Sequence, residues 1–271
     1  MLLTMEHFPL RLRFGEEKAF EMMKIAGFDG VDYSFCGFSG EAVGLENHVE
    51  GAKETKRLLE KYGLVVRQAH APFVFRYGDE MSVENKDFLD IVKSFEYASI
   101  IGCEHVVVHS LKMPNMDEFF DYNYTYYKSL EPYAKKYGVK IAVENLRNSR
   151  FHTPEEICAF LDRLDSDVFS ICIDVGHCAI TGMTPELYIS GMRKRIDCVH
   201  LHDTDGAVDR HWIPYQGVHN WDGIVSALKE KGFKGDMNFE IIHSFDNVPN
   251  DLMQDTINYL GKVGRYIMEK Y

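Results

Sequence analysis

Seven residues able to bind a metal or move a proton recur along the chain at intervals of 26 to 40 residues: Asp32, His70, His109, Glu144, Asp174, His200 and Glu240. Each stands at or near the end of a short run rich in β-branched and apolar residues, as in VVRQAH, HVVVH, KIAVE, SICID and DCVHLH. If these ends meet in space, their charges need partners or a cation, because isolated burial of an ionised group is costly. Carboxylates mixed with imidazoles suit Mn, Zn, Fe or Co, and less strongly Mg. No Cys falls among the seven, which disfavours a closed structural zinc site. The pattern points to a divalent metal centre rather than to a network of buried ion pairs.

What must position these residues is a repeated strand–helix unit. Candidate strands are Gly30–Ser34, Val65–His70, His105–His109, Lys140–Glu144, Ser170–Asp174, Asp197–His202 and Met237–Ile241, with a weaker one in Leu2–Glu6. Amphipathic stretches separate them: Glu16–Ala26, His48–Tyr62, Val83–Ile101, Asp117–Tyr137, Pro154–Leu164, Pro185–Arg193, Asp222–Lys231 and Asp251–Lys270. A glycine follows four helices just before the next strand, in AGFDG, YGLVV, YGVKI and KGFKG. Thr153-Pro154-Glu155-Glu156 and Thr184-Pro185-Glu186 read as N-cap, first-turn proline and acidic first turn. Such alternation means a parallel sheet with crossover helices. An open doubly wound sheet also holds eight strands, but neither G-x-G-x-x-G nor G-x-x-x-x-G-K is present. A closed barrel brings all its strand ends to one face, where barrel enzymes place their sites. We expect an α/β protein, a single (β/α)8 TIM barrel over residues 1–271 with no linker.

Composition removes several function classes. Of 271 residues, 45% are hydrophobic and 27% charged, which excludes dominant disorder. No apolar run approaches the roughly 20 residues that span a bilayer, and MLLTMEHFPLRLRFGEE lacks the order of a secretory signal. A net charge of −12 argues against a broad nucleic-acid surface. Six scattered Cys without a CxxC pair are expected to be reduced thiols, as in a cytoplasmic protein. Self-association into a homo-oligomer is left open.

The pieces AHAPF (69–73), VVVHS (106–110), AVEN (142–145), CIDVGH (172–177), HLHDTDG (200–206), DRHWIP (209–214) and NFEI (238–241) follow one another in an order and spacing that resemble the xylose isomerase-like barrel superfamily. That superfamily joins sugar isomerases and epimerases to endonuclease IV-type abasic-site enzymes. The resemblance implies one divalent ion held by Glu144, Asp174, His200 and Glu240, with His177 in the substrate pocket. The nuclease branch implies three zinc ions, with His70, His109, His177, Asp209 and His211 as further ligands. Against that branch, the chain is acidic, and Asp209-Arg210-His211 continues into Trp212-Ile213-Pro214 instead of a Gly-Glu-Gly turn. Gly206 stands where ketose epimerases of the superfamily carry a substrate-gripping Arg; Arg210, Lys112 or Arg147 are candidates to replace it, against the reading that each is a solvated loop charge.

Isomerisation and epimerisation of sugars begin with removal of a proton alpha to a carbonyl. A divalent ion stabilises the resulting enediolate as a Lewis acid, and two carboxylates serve as base and acid. Glu144 and Glu240 are the expected catalytic pair. His177, His70, His109, His211 and Trp212 are assigned to the substrate, Trp212 by stacking on a sugar face. Phe73 and Phe75 are candidates for an apolar wall. Regular alternation would turn His202 away from His200, toward the helices. The remaining histidines, His7, His48, His105, His152, His219 and His243, are expected on the surface or in structural roles. The expected protein is a metal-dependent sugar, sugar phosphate or inosose isomerase or epimerase with a small carbohydrate substrate; a zinc phosphodiesterase at abasic DNA and a sugar-acid or inosose dehydratase are the alternatives.

Overall fold

The β-branched runs pair in parallel through their backbones, and the glycine turns return each helix to the next strand. In this computed structural model, which describes residues 1–37 and 39–271, the strands are β1 (Leu3–Glu6), β2 (Gly30–Ser34), β3 (Val65–His70), β4 (His105–Val108), β5 (Lys140–Glu144), β6 (Phe169–Asp174), β7 (Cys198–His200) and β8 (Met237–Phe239). The helices are α1 (Phe8–Phe14), α2 (Glu16–Ile25), α3 (His48–Tyr62), α4 (Lys86–Ile101), α5 (Phe119–Tyr137), α6 (Pro154–Leu164), α7 (Val175–Ile180), α8 (Pro185–Gly191), α9 (Trp221–Glu230) and α10 (Asn250–Lys270). Sheet order runs β7-β6-β5-β4-β3-β2-β1-β8, all parallel. A parallel bridge from Leu201 to Phe239 joins the two ends of that order, with Leu201 N–H donating to Asn238 C=O at 2.8 Å. The result is the expected (β/α)8 barrel.

Predicted and observed elements differ where local chemistry overrides the apolar period. Helix α4 starts at Lys86 and not at Val83, because the Asn85 side chain accepts from the Asp87 and Phe88 amides. Two short helices were not expected, α1 with Pro9 in its first turn and α7 with Asp174 as N-cap. Thr153 and Glu156 form a reciprocal capping box at α6, and Thr184 caps α8. All four glycines of the helix-to-strand turns take positive φ. Strand β7 stops at His200, two residues short of the expected end. Among the described residues no helix is long and apolar enough to cross a membrane.

The barrel interior is divided. On the β4–β7 side, Val107, Ala142, Cys172 and Cys198 form a small buried apolar cluster. On the other side the interior is polar. Asp32, fully buried, accepts from Gln68 Nε2 (2.8 Å), Asn238 Nδ2 (2.7 Å) and His70 Nδ1 (3.1 Å). Strand β2 continues past Asp32 to Ser34, so this carboxylate lies inside the barrel and not at a strand end. Four residues from three strands thus form a platform under the mouth, and its aspartate aims His70 upward. The six cysteines are free and buried, and Cys172 and Cys198 fill space there as small apolar groups.

Candidate metal centre

Local structure at the end of β6 places three functional groups at once. Asp174 Oδ1 accepts from the His177 amide at 2.8 Å, which starts α7 and fixes His177 beside the aspartate. Asn145, the residue after β5, accepts from the Asp174 amide (2.7 Å) and donates to its carbonyl (3.0 Å). That reciprocal pair locks Glu144 at the end of β5 against Asp174 at the end of β6.

His200 is the hub of the site. Its Nδ1 lies 3.2 Å from Glu144 Oε1, 3.4 Å from Glu240 Oε2 and 3.8 Å from Asp174 Oδ2. Donor atoms held about 2.0–2.2 Å from one ion are separated by roughly 3–4 Å, so this quartet fits a single divalent cation. Three buried carboxylates share the space with imidazoles and, among the described residues, with no Lys or Arg ion pair. Glu240 Oε2 is buried and meets only the imidazole nitrogens of His200 and His211, at 3.4 and 3.5 Å, with no well-directed hydrogen bond, the condition a cation would relieve. Glu144, Asp174 and His200 can offer one ligand atom each within 4.8 Å of one another.

A second group adjoins the quartet. His177 Nε2 lies 3.0 Å from Asp209 Oδ2, His211 Nε2 lies 3.1 Å from Asp209 Oδ1, and His177 Nδ1 lies 3.3 Å from Glu144 Oε1. His211 takes a left-handed backbone (φ 46), and its Nδ1 donates to the Glu240 carbonyl at 3.1 Å. A non-glycine residue held there is uncommon and marks a position that the surroundings enforce. On the opposite flank, His109 Nε2 is 3.1 Å from Glu144 Oε2 and His70 Nε2 is 3.5 Å from Glu240 Oε1.

His202 does not face the helices. Because β7 ends at His200 and the chain turns into an antiparallel bridge between Asp203 and Trp212, the alternation that would turn His202 outward is lost. Its Nε2 instead donates to Asp174 at 3.0 and 3.1 Å, and its ring stacks on His211 with centroids 4.1 Å apart. Gly176 makes room for this ring: a Cβ there would meet His202 Cε1 at 2.1 Å.

The long segment after β7 is pinned by one buried carboxylate. Asp203 accepts from the amides of Thr204, Tyr215 and His219 and from Trp221 Nε1, at 2.9 to 3.2 Å. Asp203→Ala would leave these donors without their acceptor and is expected to cost at least about 2 kcal/mol. It should also weaken divalent-ion binding, because His211 rides on this segment and its Nδ1 holds the backbone carbonyl of Glu240. Thermal unfolding and metal titration of the variant check both effects; unchanged values in each would remove Asp203 from this role.

The electrostatics split the two glutamates. Burial pushes the Glu144 carboxyl up, but the imidazoles of His200, His109 and His177 hold it well below the usual range. Burial raises the Glu240 carboxyl well above it, reinforced by the carboxylates of Glu6, Asp174, Glu144 and Asp32. Burial opposes charge on Asp174, yet His177 and His202 keep its carboxyl low. His177 is raised against burial by Asp174, Asp209 and Glu144. His70 is likewise raised against burial, up to about 10, chiefly by Asp32. Two carboxyl groups with opposed proton affinities, both within reach of one imidazole nitrogen, are what an acid–base pair needs.

Above these groups opens a cavity of about 690 Å³, lined in part by Glu144, Glu240, His70, His109, His177 and His211. The expected pocket residues therefore meet there, apart from Trp212. That ring borders a separate shallow depression with Ile213 and Gln216, and the Arg210 guanidinium lies 5.5 Å above it. Its backbone pairing with Asp203 sets that orientation. Arg210 binds Asp205 at 2.8 Å. Phe73 and Phe75 line the cavity as a wall, Phe73 against His109 at 4.6 Å. His243, expected to be structural or on the surface, is exposed at the cavity mouth and paired with Asp246 at 2.9 Å. Sequence reasoning missed Glu6, at the end of β1, which is buried and lines the cavity. The only sequence signal was an acid closing the short run Leu2-Leu3-Thr4-Met5.

The model of the xylose isomerase-like TIM barrel family matches residues 20–263. The chain belongs to that family. It is 28% identical over 240 residues to an uncharacterised protein of Methanocaldococcus jannaschii, covering 82% of this chain and 80% of the relative. It is 24% identical over 232 residues to an inosose dehydratase of Bacillus cereus, covering 75% and 78%. A crystal structure of a D-tagatose 3-epimerase-like protein superposes with a TM-score of 0.77 at 25% identity, covering 100% of this chain and 99% of the other.

Proposed function

We propose that the protein is a divalent-metal-dependent isomerase or epimerase acting on a sugar, sugar phosphate or inosose. The observation that carries this is the quartet: one nitrogen, His200 Nδ1, faces carboxylate oxygens of Glu144, Glu240 and Asp174 within 3.8 Å at the floor of a cavity. The likeness to a D-tagatose 3-epimerase-like protein and to an inosose dehydratase supports a polyhydroxylated carbonyl substrate. Bound there, a divalent ion would supply Lewis-acid stabilisation of charge developing on the substrate oxygens. Glu144, drawn toward the ionised form by its imidazoles, would take a proton from carbon; Glu240, on the other side of His200, would pick up a proton from solvent or a substrate hydroxyl and return it to carbon. His177, anchored by Asp174 and Asp209, orients a substrate hydroxyl, and the Phe73 wall keeps water from the reacting face. We place the protein in the cytoplasm, a reading supported by its six free, buried thiols.

Ketoses, inososes and sugar phosphates, tried with Mn, Co, Zn, Fe and Mg in deuterated water, test this. Turnover with deuterium entering the carbon beside the carbonyl is expected; loss of water from an inosose without isomerisation would move the protein to the dehydratases. A second reading has one observation in its favour: His70 and His109 flank the quartet on one side, and His177, Asp209 and His211 on the other. Those residues suit a three-zinc phosphodiesterase. Three zinc ions per chain and chelator-sensitive incision of an abasic-site duplex would establish it against the −12 net charge.

A further inference from the structure

The cavity is polarised. Of the carboxylates that line it, Glu6, Glu144 and Glu240 are buried at its floor and Asp209 is partly buried on the loop after β7. Its cations, Arg76, Lys112 and Arg147, are all exposed. They come from the loops after β3, β4 and β5, three neighbouring strands, so they occupy one arc of the mouth. None of the three comes from the loops after the seventh and eighth strands, where barrels commonly hold phosphate, although Arg147 reaches toward Asp209 on the loop after β7.

The three cations have little to neutralise them. Among the described residues, Lys112 has no hydrogen bond or ion pair. Arg76 donates through Nη1 to the Phe73 carbonyl at 2.7 Å, which steadies its arm without removing its charge. Arg147 Nε approaches Asp209 Oδ2 only to 3.9 Å, and that carboxylate is already engaged by two imidazoles. A further donor lies between them: Ser110, two residues before Lys112, is buried, lines the cavity, and its Oγ has no hydrogen-bond partner. A buried hydroxyl left unpaired at the wall of a cavity is a position for a ligand atom.

From this arrangement we infer that the arc of Arg76, Ser110, Lys112 and Arg147 binds an anionic group, a phosphate ester or a carboxylate, at the end of the substrate away from the metal. This rests on the isomerase reading for its substrate and names the class within it: an anionic sugar. Guanidinium and ammonium groups are the usual partners of phosphate and carboxylate. An interaction made equally in ground and transition states appears in binding and in KM more than in kcat. A nucleic-acid backbone would need a basic track beyond the cavity, whereas these charges form one sector of a concave site on an acidic protein.

Calorimetric titration of the manganese-loaded protein with D-fructose 6-phosphate, D-fructuronate and D-fructose tests the inference without requiring turnover. At least one charged probe is expected to bind at least about tenfold more tightly than D-fructose, and which one does so distinguishes phosphate from carboxylate. Arg76→Gln/Lys112→Gln/Arg147→Gln should erase the difference by weakening the charged probes at least about tenfold more than it weakens D-fructose. The pair Lys112→Gln/Arg147→Gln, which keeps the Phe73 contact, should lose most of it. Equal binding of all three probes, no binding of either charged probe, or a preference that survives in the triple variant would overturn the inference, the last because the anion would then sit on the metal. If the charged preference is present and lost in the triple variant, but no sugar in the panel turns over, the subsite stands and the isomerase reading fails.

Discussion

Glu240→Gln and Glu144→Gln are each expected to lower kcat by at least about a hundredfold, the scale on which general acid–base catalysis operates. Glutamine keeps the size and one acceptor oxygen of the side chain but cannot carry the proton. The two variants should differ in a second measurement. Glu144 meets three imidazoles, those of His109, His177 and His200, at 3.1 to 3.3 Å. Removing its charge leaves those rings without their shared anion, so Glu144→Gln should also lose much of its metal affinity. Glu240 is surrounded by other carboxylates that push its proton affinity up, so its neutral replacement relieves repulsion and should retain more metal. Steady-state rates with metal content measured on the same samples check this. Both proteins fully active with metal bound would end the assignment, because the remaining lining carboxylates, Glu6 and Asp209, lie outside the hub formed by His200.

Much of this site could be read from residue order because parallel strands impose a simple rule. A polar residue closing a β-branched run must emerge at the same face as every other such residue, and Glu144 and Asp174 obey it. The rule fails where the strand is not regular. His202 was misplaced because β7 is only three residues long and its continuation pairs antiparallel with the loop. Trp212 was misplaced for the same reason, since that bridge turns its ring from the cavity. Asp32 stands two residues inside the strand Gly30–Ser34, and its carboxylate is buried in the platform instead of emerging with the others at the mouth. Helix α7 is too short for a period to be visible, yet its N-cap is Asp174, one of the four proposed metal ligands, so capping and the proposed ligation fall in one D-V-G-H run. Arg76 gave no signal at all: a lone Arg in a loop is ordinary, and its meaning comes from Lys112 and Arg147 on adjacent loops.

The double role proposed for Asp174 would make metal binding separable from folding, and gives the second large effect. Manganese at a hundred times its dissociation constant should stabilise the metal-free protein by about 2.7 kcal/mol, because the ion binds only the folded state. For a chain of this length that is a rise in Tm of about 5–10 °C. Elemental analysis should give one tightly held ion per chain, and removal by chelator should abolish turnover. Asp174→Asn should fold, since asparagine also caps helices well and the exchange with Asn145 uses only the Asp174 backbone. It should nonetheless lose the metal-induced rise, because an amide is a poor ligand beside Glu144, His200 and Glu240. Affinity in the unchanged protein should fall as pH is lowered. Binding requires ionised carboxylates and releases protons, and Glu240, its carboxyl raised by burial and neighbouring acids, is the first ligand to be reprotonated. A Tm insensitive to divalent ions, or an Asp174→Asn protein that keeps the full shift, would show that the quartet does not hold the ion.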